Sequence, residues 1–243
     1  MRALSQADCL ALWESGRTLH PLDQGLLAVR AAFPETQNES IADWPLGRRN
    51  RALAELRCAC FGRWLRGWTA CRQCGEKLEF EVDGTALAES RAAGCNDPID
   101  AQGKTFRLPT SRDLARIADE RDPSMAARRL LGQCMAPATA EESADRSSGA
   151  PAWTEEEIDA VGESMALADP LAEILLHFDC PACGASFQES LDLPEFLWSE
   201  LEGRAKRLLL DVHLLASAYG WSETQILSVS QARREFYLQR VNA

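Results

Sequence analysis

Four cysteines stand in two matching turns, Cys71-Arg72-Gln73-Cys74-Gly75 and Cys180-Pro181-Ala182-Cys183-Gly184. In such a turn both sulfurs point to one side, and the glycine takes a backbone conformation that a Cβ resists. Each turn therefore offers half of a tetrahedral thiolate site, and the two halves together make a closed four-cysteine site for a structural Zn²⁺. A closed site leaves no coordination position for water or substrate. The competing chemistry is a thioredoxin-like redox pair, but neither turn opens a helix in a strand-helix-strand unit, where the helix dipole would lower a thiol pKa. Two separate disulfides compete less well, because the N-terminus lacks the apolar run of a secretory signal and a reducing, cytoplasmic setting is expected.

Little else in the chain has the chemistry of a catalyst. His20, His177 and His213 are the only histidines. His213 falls on the apolar pattern of a long helix and reads as a core or boundary residue, while His177 sits close enough to Cys180 to be a neighbour of the metal set or an alternative ligand. Cys9, Cys58, Cys60 and Cys134 lie among apolar residues and read as small buried hydrophobes. There is no glycine-rich phosphate loop and no Ser, His and acid signature, so neither an enzyme nor a small-molecule substrate is expected.

A net charge of −11 argues against a large nucleic-acid footprint. The exception is local. Arg48, Arg49, Arg51, Arg57, Arg63, Arg66 and Arg72 make residues 48 to 72 basic, a candidate contact for another macromolecule. No apolar run approaches the length of a membrane span.

The elements that must position the cysteines follow from hydrophobic periodicity. Leu10, Leu12 and Trp13 mark one N-terminal helix, and Leu26, Leu27, Val29, Ala32 and Phe33 mark a second that Pro34 ends. A third carries Leu53, Leu56, Cys60, Phe61, Trp64 and Leu65 at three- and four-residue steps and delivers the chain to the first cysteine turn. Beyond that turn Leu78, Phe80 and Val82 alternate with charged residues, the period of a half-buried strand. Residues 84 to 104 read as a short helical piece and a loop, and Phe106 to Pro109 as an edge strand. Thr110 with Asp113, Thr154 with Glu157 and Ser222 with Gln225 have the spacing of helix capping boxes, and Asp122-Pro123 starts another helix.

Ile174, Leu176 and Phe178 before the second turn, with Phe187, Leu191 and Leu193 after it, describe a hairpin with the cysteines at its tip. From Pro194 a long helix carries Leu197, Trp198, Leu201, Ala205, Leu208, Leu209, Val212, Leu215 and Tyr219 on an apolar stripe, and Gly220 ends it. The fold class is α+β and mainly helical, with a zinc-ribbon-like β element built from two distant turns. Its segments are 1–70 (helical), 71–135 (first arm with a helical insertion), 136–151 (a flexible linker rich in Ala, Ser and Pro), 152–193 (helix and second arm) and 194–243 (the long helix followed by short ones).

Several further stretches stand out: Trp44-Pro45-Leu46-Gly47-Arg48-Arg49-Asn50, Leu56-Arg57, Phe61-Gly62 and the first cysteine turn with Leu78-Glu79-Phe80. They continue through Phe106 to Leu114, the second turn, Phe196 to Glu200, Val212 to Ala216 and Tyr219-Gly220-Trp221-Ser222-Glu223 with Ile226-Leu227. Together they resemble the T4-type baseplate hub assembly chaperones and related small baseplate proteins of contractile phage tails and phage-derived injection systems. The resemblance implies a non-enzymatic role in building or forming part of a baseplate, through contacts with tail or baseplate hub proteins. Arg48, Arg49, Trp198, Tyr219 and Trp221 are the candidate protein-contact residues. One departure stands out: many members of that family have proline after the first ligand, and this chain has Arg72. A zinc-ribbon nucleic-acid-binding adaptor is the alternative reading.

Overall fold

The computed structural model describes residues 1–36, 40–90, 98–135 and 153–241. The linker expected at 136–151 and Cys95 lie outside the described residues. In chain order the elements are α1 (Gln6–Gly16), α2 (Pro21–Ala32), α3 (Leu46–Phe61), β1 (Trp64–Ala70), β2 (Lys77–Asp83), α4 (Gly84–Ala88), β3 (Ile99–Ala101) and β4 (Lys104–Phe106). They continue with α5 (Ser111–Ile117), α6 (Pro123–Cys134), α7 (Glu155–Ala168), β5 (Leu175–Asp179), β6 (Ser186–Ser190), α8 (Leu193–Tyr219), α9 (Glu223–Ser228) and α10 (Gln231–Val241). The protein is mainly helical, and its described strands form three two-stranded antiparallel sheets, β1-β2, β3-β4 and β5-β6.

The chain divides into two compact units. One joins residues 1–34 to 194–243, and the other spans 35–193. In the first, Ser5 caps α1 through a reciprocal box with Asp8, and Pro21 opens α2 behind an N-cap supplied by His20. Helix α8 buries Leu197, Trp198, Leu201, Ala205, Leu208 and Leu215. Its expected stripe is narrower than the sequence suggests: Leu209 and Tyr219 are exposed, because the 3.6-residue period carries them off the buried face. The helix ends at Gly220, whose φ of 67° is left-handed. Arg234 on α10 is buried and donates to Asp211 on α8 at 2.8 Å and to Gln6 at the start of α1, tying the two ends of the chain together.

In the 35–193 unit one core gathers Phe106, Leu131, Cys134, Trp153, Val161 and Met165, so β4, α6 and α7 share an interior. Two expectations are corrected here. Helix α3 stops at Phe61 rather than running through Leu65, because Gly62 adopts a φ of 92° and its N–H returns to the Cys58 carbonyl. The residues beyond it, with Trp64, Trp68 and Thr69 of strand-favouring type, pair as β1 with β2 in the register Trp64 to Asp83 through Ala70 to Lys77. The stretch read as loop holds β3, and the strand expected over Phe106 to Pro109 is displaced to Lys104–Phe106, since only there does the backbone find a partner in Ile99–Ala101. The capping boxes at Thr110, Thr154 and Ser222 form as their spacing implies.

Candidate metal centre and contact surfaces

Both cysteine turns sit at the tips of hairpins, β1-β2 and β5-β6. The two tips are built alike. In the first, Cys71 N–H donates to the Glu76 carbonyl and Gly75 N–H to the Cys71 carbonyl, each at 2.8 Å; in the second, Cys180 N–H donates to Ala185 and Gly184 N–H to Cys180, each at 2.9 Å. Gly75 and Gly184 have φ of 78° and 74°, so the left-handed step inferred from the motif is present in both.

The tips bring the four sulfurs together from positions more than a hundred residues apart. All four lie within 4.8 Å of one another. Across the arms, Cys71 Sγ is 3.7 Å from Cys183 Sγ and Cys74 Sγ is 3.6 Å from Cys180 Sγ. A tetrahedral site with metal–sulfur bonds of about 2.3 Å has edges of about 3.8 Å, whereas a disulfide needs about 2.05 Å, so this spacing suits a shared cation. Cys71 and Cys180 are buried and Cys74 and Cys183 exposed, which places the set at the surface with its inner half covered.

The four thiols perturb one another. The Cys74 and Gln73 backbone amides hold the Cys71 thiol down, to about 7. For Cys74 the Glu76 amide acts downward, but partial desolvation and above all the three neighbouring thiols push it up to about 12. Four thiolates at this spacing repel one another unless a cation lies between them. His177 does not join the set: it is exposed on β5 and meets Gln188 across the hairpin.

Beneath the sulfurs the arms share a small apolar core of Cys71, Leu78 and Cys180, flanked by Phe178, Ala185 and Phe187. Phe178 stacks on its register partner Phe187 at 5.5 Å, and Phe80 from the other arm meets Phe178 edge-on at 6.0 Å. Phe80 and Phe187 are the aromatic positions that follow each cysteine turn in sequence. Asp83, the last residue of β2, pairs with Arg63 and caps α4 by accepting from the Thr85 N–H.

The candidate contact residues separate into two kinds. Arg49 is 4% exposed and donates to Asn50 and Ser111 at 2.9 to 3.1 Å, and burial lowers its pKa to about 10 against the opposing pull of Asp192 and Asp169. Trp198 is 8% exposed and lies against Gly16, where a Cβ would come within 2.3 Å of its ring. Both are interior groups, which removes them from an accessible surface. Arg48 is half-buried with its guanidinium 3.8 Å from the Trp44 ring centre. Tyr219 and Trp221 do form a surface feature: their rings stack at 5.1 Å, Tyr237 meets both edge-on at 5.7 and 5.0 Å, and exposed Phe236 adjoins Tyr237.

The basic run is largely taken up within the chain. Arg57 donates to the Gly62 carbonyl at 2.6 Å, Arg66 pairs with Glu81 at 2.5 Å, and Arg72 pairs with Glu189 at 2.8 Å. Sequence reasoning missed two polar groups of the interior. Asp169 accepts from Gly47 N–H, 122 positions away, and looks like an ordinary helix-end residue until that partner is known; Asp113, whose capping box with Thr110 the spacing implies, is also buried and receives Arg107. Comparison with protein-family models, with curated proteins and with solved structures finds no match to this chain.

Proposed function

We propose that this chain is a non-enzymatic assembly factor or small structural component of a contractile-tail baseplate, held in shape by one structural Zn²⁺ on Cys71, Cys74, Cys180 and Cys183. The observation that carries the scaffold reading is the convergence of four sulfurs from two distant hairpins, since a closed thiolate set has no position left for substrate. The chemistry of such a site is structural: it fixes two arms that the chain brings from far apart. The baseplate reading draws on the resemblance in the Trp44–Asn50 and Tyr219–Glu223 stretches, and the aromatic cluster of Tyr219, Trp221, Phe236 and Tyr237 is the surface offered to a tail protein.

Two measurements test the two halves separately. Elemental analysis of protein prepared under reducing, chelator-free conditions is expected to give one zinc per chain, and absence of zinc overturns the metal assignment. Affinity purification from the producing cell is expected to recover identified tube, sheath or spike proteins, and recovery of no tail component overturns the baseplate reading. The nucleic-acid adaptor keeps one supporting feature, exposed Trp64 and Trp68 on β1 with Arg63 and Lys77 beside their rings. It predicts salt-sensitive binding of DNA or RNA, against which the acidic cross-strand partners Glu79, Glu81 and Asp83 weigh.

A further inference from the structure

The outer face of the β1-β2 hairpin carries two tryptophans in solvent. Trp64 and Trp68 alternate along β1 with buried Leu65 and half-buried Gly67, so both indoles leave the strand on the side away from the core. They are 40% and 62% exposed. Four residues of strand separate them, about 13 Å. Burying an indole is among the larger hydrophobic gains open to a chain, and two left out on one strand face mark a surface kept for a ligand.

A ladder of paired charges stands between and around the rings. Arg66 lies between the two indoles on β1 and donates to Glu81, its register partner on β2, at 2.5 Å. Glu79, opposite Trp68, meets Lys77 at 3.3 Å, and Asp83, opposite Trp64, accepts from Arg63 Nε at 3.0 Å. The two flanking cations also lie against the rings, Arg63 at 4.7 Å from the Trp64 ring centre and Lys77 at 5.5 Å from that of Trp68. Three bases and three acids cancel. The face therefore runs ring, ion pair, ring, with no net charge and with hydrogen-bond donors and acceptors side by side.

That composition selects the ligand. A nucleic acid also stacks on indoles, but its phosphates need a net positive surface, which this face lacks. A hydrocarbon or apolar protein surface would strip water from three ion pairs and replace it with nothing. A polyproline segment stacks on tryptophan and brings carbonyls to Arg66 and Lys77, but it has no N–H to give Glu79 and Glu81. A pyranose ring meets every requirement: its C–H faces lie flat on an indole, and its hydroxyls both donate to the carboxylates and accept from the guanidinium and ammonium groups.

We propose that this face binds a neutral, linear glycan, with sugar rings stacked on Trp64 and Trp68 and the hydroxyls between them bonded to Arg66 and Glu81. The platform is straight, so it suits the extended ribbon of an equatorially linked chain better than the coil of an axially linked one. The assignment is independent of the metal centre and of the tail-assembly reading.

The test is a calorimetric titration of the full chain, with indole fluorescence as a second readout, using cellohexaose, chitohexaose, maltohexaose, an oligothymidylate and a decaproline peptide. Cellohexaose or chitohexaose is expected to bind with an affinity unchanged by added salt, and at least about tenfold more tightly than the matching disaccharide, which reaches only one indole. The tighter of the two tells an N-acetylated glycan from a plain one. Trp68→Ala should weaken binding by at least about tenfold, the loss of one stacked ring, without lowering the melting temperature, because that ring is mostly in solvent. Trp68→Phe should recover part of the loss. Glu81→Leu reads the hydroxyl contacts separately and should weaken binding even where the tryptophan variants fail to fold. No binding of any hexasaccharide, maltohexaose binding as tightly as the other two, or binding undisturbed by Trp68→Ala overturns the proposal. Salt-sensitive binding of the oligothymidylate, or tighter binding of decaproline than of the glycans, overturns it by giving the face to a nucleic acid or a proline-rich protein.

Discussion

Gly47 and Asp169, 122 positions apart, are in contact through both oxygens of one carboxylate: the Gly47 N–H donates to Oδ2 at 2.8 Å, and a Cβ on residue 47 would lie 1.6 Å from Oδ1. The contact explains the glycine in Trp44-Pro45-Leu46-Gly47, since no other residue leaves room for the side chain that receives its amide. Gly47→Ala is expected to destabilise by about 2–3 kcal/mol, because the carboxylate is buried and the site is already filled. In a urea-denaturation cycle with Asp169→Ala the double variant should cost clearly less than the sum of the two single changes. Additive costs would mean that the two residues do not share the strain assigned to them.

The metal centre makes the sharpest prediction about stability. Structural zinc contributes roughly 10 kcal/mol or more of apparent binding free energy, which is folding free energy when the site does not exist in the unfolded chain. Cys180→Ser should therefore lower zinc content and melting temperature together. Chelation of the unaltered protein should reproduce the fall in melting temperature, and Cys134→Ser should leave zinc content unchanged. Full zinc occupancy in Cys180→Ser would count against the ligand set.

Asp113 should account for part of the acid sensitivity. Burial alone pushes its carboxyl up, but the hydrogen bonds from Arg107 at 2.6 and 2.8 Å and from Thr110 at 2.7 Å outweigh burial and hold it below the ordinary value. A carboxylate whose folded pKa lies below an unfolded value of about 3.9 stabilises fully above that pH, and its contribution disappears as pH falls through the folded value. Asp113→Asn should cost about 1–3 kcal/mol at pH 7. Thermal melts at pH 7, 5 and 3 should show the gap between the two proteins held from 7 to 5 and narrowed at 3.

Arg72 occupies the position where the resemblance leads one to expect proline, and it spans the two arms instead. Its Nε and Nη2 donate to the two carboxylate oxygens of Glu189 at 2.8 and 2.9 Å. The pair is exposed, so its effect belongs to low salt. Arg72→Ala should lower the melting temperature slightly in dilute buffer, and the difference should vanish near 1 M salt, where charges are screened within about 3 Å. A loss that persists at high salt would mean that Arg72 acts through packing.

The aromatic cluster is the place where the proposed partner should be felt. Tyr219→Ala removes an exposed ring that stacks on Trp221, so folding should change little. Binding of a recovered tail component should weaken by about 2 kcal/mol, roughly thirtyfold, if the residue is central to the interface. Unchanged binding would move the contact elsewhere on the protein.

Much of this protein could be read before any coordinates. The paired Cys-x-x-Cys-Gly turns, the capping boxes at Thr110, Thr154 and Ser222, the long helix ended by Gly220 and the hairpin around Cys180 all depend on residues within a few positions of one another. Local backbone and side-chain chemistry suffices for them. Strand β1 escaped because Leu65 continues the apolar spacing of α3, and only the left-handed turn at Gly62 together with pairing to β2 separates helix from strand. Tertiary structure alone decided which charged groups go inside. Arg49 and Asp169 are polar residues that a sequence places on the surface by default, and each is buried because its partners, Ser111 in one case and Gly47 in the other, arrive from distant segments. The convergence of the four sulfurs belongs with them: the motif specifies two half-sites, and only the folding together of two hairpins makes them one.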